Sequence, residues 1–171
     1  MTTRTIVIVV EVLAFFLPGL GQSAPPANQR SHVERFSTPE VRAERAETDA
    51  NAKLALNSND DVALNARSLA RMRLGRYDDA YQDLRRAVSL KPTSSDYQSN
   101  LGYVLWKLGR ADEAVSAERI ALKLDDKNVT AHYQLGRFLL RLGERKDLAE
   151  SISELHRALT LDPRQFEVRY E

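Results

Sequence analysis

From Pro39 onward, apolar and small residues recur with a helical period, and glycine is rare and regularly placed. At about 100° per residue, Leu101, Leu105 and Leu108 share one face of a helix, with Tyr97 and Val104 beside them, while Ser99, Tyr103 and Trp106 point the opposite way. The arrangement returns 34 residues on, where Leu135, Leu139 and Leu142 oppose Tyr133, Arg137 and Leu140. An earlier copy places Asn65, Leu69 and Met72 on the outward face. Leu74-Gly75, Leu108-Gly109 and Leu142-Gly143 keep the same 34-residue step, as do Leu101-Gly102 and Leu135-Gly136. Ala80, Ala87 and Leu90 recur as Ala114, Ala121 and Leu124; the next unit continues with Ala158 and Leu161, 37 residues on, so three extra residues belong to the turn around positions 144–148. A fixed period of this length marks a repeat array. It predicts three units at 61–94, 95–128 and 129–165, each a helix, a tight turn and a second helix.

The punctuation fits that reading. Gly75, Gly109 and Gly143 fall where each first helix must stop, a place that favours a left-handed residue. Gly102, Gly136 and Ser68 fall inside helices, where glycine costs about 1 kcal/mol against alanine. A close approach of the paired helix offsets that cost, and Ala80, Ala114 and Ser151 offer the matching small surface. Pro92 and Pro163 end second helices, and Asn128 suits the N-cap of the third unit.

The chain resembles the tetratricopeptide repeat family. The second unit reads Gln98-x2-Leu101-Gly102-x2-Leu105, then Ala114-x3-Glu118-x2-Ala121-x4-Asp126. The third reads His132-x2-Leu135-Gly136-x2-Leu139, then Ser151-x3-Leu155-x2-Ala158-x4-Pro163; the first reads Leu64-x2-Arg67-Ser68-x2-Arg71, then Ala80-x3-Leu84-x2-Ala87-x4-Pro92. The resemblance covers about positions 61–165. It implies an all-α fold, a right-handed α-solenoid, whose concave groove holds a segment of a partner protein. The implied groove is Asn65, Leu69, Met72, Ser99, Tyr103, Trp106, Tyr133, Arg137 and Leu140, rimmed by Arg73, Lys107 and Arg141. Aromatic residues facing away from a core, with arginine nearby, suit a binding hot spot. The competing reading packs Tyr103 and Trp106 on neighbouring helices or in a homo-oligomer. Chaperone-binding members of the family grip a terminal carboxylate with Lys, Asn and Arg; here Asn100 alone matches, while Asn65, Leu69, Thr130 and Gln134 do not.

The flanks extend the array. Positions 39–60 read as a helix and a degenerate half-repeat covering the first unit, with Val41, Ala46, Ala50, Leu54 and Ala55 as its apolar or small residues. Arg67 and Arg71 stand where later units carry leucine. They either pair with Glu40, Glu44 or Glu47 of this helix or snorkel into solvent. Phe166 and Tyr170, one turn apart, begin a short cap at 166–171.

The amino terminus reads differently. Arg4, an apolar run over 6–17 broken by Glu11, the breakers Pro18, Gly19 and Gly21, and small residues Ser23 and Ala24 have the layout of a secretory signal. Cleavage after Ser23 fits best. The run is short for a bilayer span of roughly 20 residues, and Glu11 leaves an uncleaved membrane anchor as the alternative. Positions 24–38, with Pro25-Pro26 and Ser37-Thr38, read as a flexible linker. The expected address is periplasmic or secreted.

Composition then narrows the chemistry. The 171 residues contain no Cys, which excludes disulfides, thiol nucleophiles and thiolate zinc sites. Lys and Arg number 25 against 24 Asp and Glu, so the net charge of +1 speaks against nucleic acid as partner. Without residues 1–23 the balance stays at one excess cation, so selectivity must come from particular groove residues. No phosphate loop or nucleophile elbow is present, and His32, His132 and His156 read as structural or surface residues. No enzyme activity, cofactor, metal or small-molecule substrate is expected. The expected function is a non-catalytic protein-binding adaptor in a bacterial cell envelope; alternatives are a self-assembling structural protein and a regulatory subunit of an exported enzyme.

Overall fold

The computed structural model describes residues 38–143 and 147–163. The signal segment, most of the linker, His32 and the 166–171 cap lie outside the described residues, as does the core of the expected turn insertion. Seven helices follow one another: α1 (Pro39–Leu56), α2 (Asp61–Arg73), α3 (Tyr77–Leu90), α4 (Ser95–Lys107), α5 (Ala111–Leu124), α6 (Val129–Leu142) and α7 (Leu148–Leu161). No strand occurs among the described residues. The start-to-start distance is 34 residues from α4 to α6 and 37 from α5 to α7.

Local chemistry sets these boundaries. Oxygens of Thr38, Asp60, Ser94 and Asn128 accept the backbone N–H three residues on, capping α1, α2, α4 and α6. Pro39 occupies the first turn of α1, where its missing N–H costs nothing. Gly75, Gly109 and Gly143 have φ of 74°, 77° and 69°, the left-handed conformation that ends each first helix.

The helices pack in sequence, α2 on α3, α4 on α5 and α6 on α7, with α1 against α2. The first helices also touch one another, α2 to α4 and α4 to α6. Apolar burial is distributed along the array. One cluster joins Leu105, Val115, Leu135, Phe138 and Leu139; another joins Ala80, Leu84 and Val104; a third joins Leu64, Ala87 and Tyr97.

The close approach expected at the mid-helix glycines is present. A Cβ on Gly136 would lie 2.7 Å from Leu155 Cγ and 3.0 Å from the Ser151 carbonyl oxygen. The Ser151 hydroxyl donates to the Gly136 carbonyl at 2.8 Å. A Gly136→Ala variant gains up to about 1 kcal/mol in helix propensity but is overpacked by about 1–3 kcal/mol. Urea denaturation is therefore expected to show a net loss of about 1 kcal/mol; a gain would mean that α6 and α7 do not meet there.

The first unit departs from leucine chemistry. Arg67 and Arg71 do not snorkel. Arg67 donates through Nε (2.8 Å) and Nη2 (2.6 Å) to the two oxygens of Asp83, and through Nη1 to Asn51 at 2.9 Å. Arg71 donates to Glu47 at 2.9 Å and to Asp83 at 2.8 Å, and Arg76 also bonds Glu47. Of the acids expected on α1, Glu47 pairs with Arg71, while the partner of Arg67 is Asp83 on α3. Burial alone raises the Glu47 pKa, but its hydrogen bonds and charge pairing with Arg71 and Arg76 prevail and hold it below 4.5.

Candidate partner-binding groove

The adjacency of α2, α4 and α6 brings their outward faces together. Asn65, Leu69 and Met72 are half-buried on α2, Tyr103 and Trp106 on α4, and Tyr133 and Arg137 on α6; Leu140 is 52% exposed. Asn100 Nδ2 donates to Asn65 Oδ1 at 2.9 Å, tying α4 to α2. Lys107 Nζ lies 5.8 Å from the Tyr103 ring centre and 5.3 Å from that of Tyr77 on α3. The Arg137 guanidinium sits 5.0 Å from the Tyr133 ring centre. These spacings suit cation–π attraction and hold the aromatic rings in place.

Two groove residues sit deeper than a single helical wheel implies. Trp106 stacks on Phe138 of α6, with ring centres 4.3 Å apart and planes within 6°, and packs against the apolar cluster at α4–α6. It stitches the second unit to the third, and one of its faces is taken. Phe138 carries the missed signal: it lies three residues after Leu135 and so shares the Leu135–Leu139 face. Met72 likewise leans on the Ala80, Leu84 and Val104 cluster.

Ser99 is 1% exposed and lies beneath the surface instead of lining it. The reason is Glu118 of α5, which is fully buried and occupies the place that Leu84 and Leu155 take in the flanking units. A Cβ on Gly102 would lie 2.6 Å from Glu118 Oε1, so the absent side chain makes room for the carboxyl. Neither carboxyl oxygen meets a donor at good hydrogen-bond geometry among the described residues, although the equally buried Ser99 hydroxyl acts on the carboxyl. Burial pushes the Glu118 pKa well above 4.5, against a smaller pull downward from the Ser99 hydroxyl. The flanking units carry leucine at this position, so the substitution is visible in the sequence, though its burial is not.

His132 has structural surroundings. Both ring nitrogens of His132 face oxygens, Nδ1 that of Glu154 and Nε2 the Asp126 carbonyl at 2.9 Å. His156 is exposed. Among the described residues no group of three His, Asp or Glu is arranged to hold a metal ion, and no helix is long and apolar enough to cross a membrane.

The family model described as "Tetratricopeptide repeat" matches residues 65–129 and 99–166, more than half the chain. The chain belongs to the tetratricopeptide repeat family. Mouse "DnaJ homolog subfamily C member 7" is 30% identical over 95 residues, covering 56% of this chain and 19% of that protein. The chain thus spans about a fifth of such a relative's length. Among solved structures, MamA superposes with a TM-score of 0.62 at 20% identity, over 75% of this chain and 77% of that one. YrrB, described as a TPR protein with an unusual peptide-binding site, gives 0.58 at 24% identity, over 80% and 65%. These likenesses identify the fold as the tetratricopeptide solenoid. Within it, the one match to the family's terminal-carboxylate grip, Asn100, has its amide donated to Asn65.

Proposed function

We propose that this chain is a non-catalytic adaptor that holds a segment of a partner protein across α2, α4 and α6. One observation carries the reading: partly exposed apolar, aromatic and cationic side chains, from Leu69 through Tyr103 to Arg137 and Leu140, run across three touching first helices. A peptide-binding site in the similarly folded YrrB supports it. We further infer export to a bacterial cell envelope from the charged start, apolar run and small residues of positions 1–24, with an uncleaved anchor as the alternative.

A second reading, self-assembly, is favoured by a different surface. Leu148, Ile152 and Leu159 on α7 are 47%, 60% and 49% exposed. Ile152 and Leu159 correspond, 37 residues on, to Val115 and Leu122, which pack at the α5–α6 junction.

A photo-crosslinker at Leu140 in envelope preparations separates the readings. Tyr103→Ala and Arg137→Glu are each expected to cut recovery of the wild-type adduct about tenfold while melting like wild type, as hot-spot truncations do. If both variants fold and recover the same adducts, the groove is wrong; an adduct made only to a second copy, lost with Ile152→Asp, favours self-assembly. The intact mass of the envelope-bound chain is expected to start at Ala24, and a mass starting at Met1 would refute cleavage.

A further inference from the structure

Charge is unevenly divided between the two helices of each unit. The first helices carry two carboxylates, Asp61 and Asp96, both in first turns. Both are engaged: the Tyr97 hydroxyl donates to Asp61 at 2.9 Å, and Asn128 Nδ2 to Asp96 at 3.1 Å. The same helices carry Arg67, Arg71, Arg73, Lys107, Arg137 and Arg141. Arg67 and Arg71 are neutralised by Asp83 and Glu47. The other four have no carboxylate within ion-pair distance among the described residues. The other helical carboxylates of the units stand on the second helices, at Asp78, Asp79, Asp83, Asp112, Glu113, Glu118, Glu150 and Glu154, and the rest of those described in turns, at Asp125, Asp126, Asp147 and Asp162.

Arg73 and Lys107 end α2 and α4, and Arg141 lies in the last turn of α6, each 34 residues from the next. They therefore line the same end of three adjacent helices. A cation in a last helical turn is favoured by the helix dipole by about 0.3–1 kcal/mol, yet this explains neither Arg137, further inside α6, nor the missing carboxylates. A chain of near-zero net charge thus carries an uncompensated positive groove.

We propose that the groove's occupant is an acidic segment of a partner protein, whose Asp or Glu side chains meet Arg73, Lys107 and Arg141 in turn, with Arg137 beside them. This rests on the adaptor reading of the same groove. Neighbouring helix axes lie about 8–10 Å apart, so the outer two cations are separated by roughly 20 Å, the reach of about six extended residues. Side-chain carboxylates spaced along a segment span that row, whereas a single terminal carboxylate reaches one unit. Single-stranded nucleic acid is disfavoured because base stacking needs free aromatic faces. Trp106 is stacked on Phe138, and Lys107 and Arg137 lie by Tyr103 and Tyr133.

The test uses the full chain and a randomised display library of peptides about 12 residues long, enough to span the row. Selected peptides are expected to be enriched in Asp and Glu. Replacing these by Asn and Gln, or raising salt, is expected to weaken binding about tenfold, as is the Arg73→Gln/Lys107→Gln/Arg141→Gln triple variant, whose melting point falls slightly with the lost helix-end charges while the unfolding transition stays cooperative. Amidating the peptide's C-terminus is expected to change nothing. Peptides that lose binding in Tyr103→Ala yet show no acidic excess would overturn the acidic occupant and leave the adaptor reading standing. Loss on amidation would replace the row by a terminal-carboxylate grip, and equal competition by single-stranded oligo-dT would replace the protein partner. Retention of no peptide at all would overturn both readings.

Discussion

Replacing Glu118 with leucine is expected to stabilise the fold by about 1–3 kcal/mol, the cost of a buried polar group left without partners. The glutamate is fully buried between α4 and α5, with neither oxygen meeting a donor at good hydrogen-bond geometry. Leucine fits by internal precedent. Leu84 fills the matching place in the first unit with no exposure, and Leu155 fills it in the third against Gly136. Glu118→Leu therefore makes the second unit resemble its neighbours.

The same residue gives the chain a pH dependence of defined sign. Glu118 has its pKa raised well above 4.5 by burial, with the Ser99 hydroxyl opposing and no charged group contributing. The unfolded chain releases this proton near 4.5 and the folded chain keeps it to higher pH. Its contribution is intact below 4.5 and is lost as pH rises through the folded value, with a slope of up to about 1.4 kcal/mol per pH unit. Glu118→Leu should flatten that limb and raise the plateau. Glu118→Gln should flatten it without the gain, because the amide is still buried and unpaired. Urea midpoints across pH decide the matter, and parallel profiles for wild type and Glu118→Leu would refute the buried acid.

What the sequence revealed and what it hid divide along the range of the interactions. Helix starts, the left-handed glycines and the Asn128 cap depend on a few consecutive residues, so a 34-residue period exposes them. The mid-helix glycines were legible for a related reason: a residue type that costs helix stability in successive units implies a neighbour pressed against it. Pairings between helices were not legible. Arginine in leucine positions announces that an acid must follow, but Glu47 and Asp83 stand on different helices on either side of α2. The wheel of α4 places Ser99 outward because it treats the helix alone. In the fold α4 touches α2, α3, α5 and α6, and Glu118 reaches over Ser99. For the same reason Trp106 reads as a free aromatic until Phe138 comes under it.

Asp83→Ala is expected to destabilise the chain by about 3 kcal/mol, the lower end of the cost of leaving buried charges unpaired. Asp83 has a 5% exposed side chain and accepts from both Arg67 and Arg71, whose side chains are 21% and 18% exposed. Removing it strands two guanidiniums between α1, α2 and α3, with Asn51, Glu47 and the Asp79 carbonyl left to them. The network is nevertheless not the strongest way to fill this space. Sixty-eight residues on, the places of Glu47, Arg67 and Arg71 are held by Val115, Leu135 and Leu139, which pack in one apolar cluster; the place of Asp83 in the second unit is held by buried Ala117. The quadruple variant Glu47→Val/Arg67→Leu/Arg71→Leu/Asp83→Ala is therefore expected to regain the lost stability and to exceed wild type by up to about 1–4 kcal/mol, as apolar replacements of buried ion clusters do. It should also flatten the acid limb. Burial lifts Glu47, but Arg71 and Arg76 outweigh it and hold the pKa below 4.5, so its contribution is present above 4.5 and is lost as pH falls through the folded value. Wild type should thus weaken toward acid in part through Glu47, with Glu40 and Glu113 also held below 4.5, and toward higher pH through Glu118, and each limb should flatten in its own variant. A quadruple variant less stable than Asp83→Ala would show that the charges fix how α1 docks on α2, since apolar side chains of the same repeat register would then have failed to hold it.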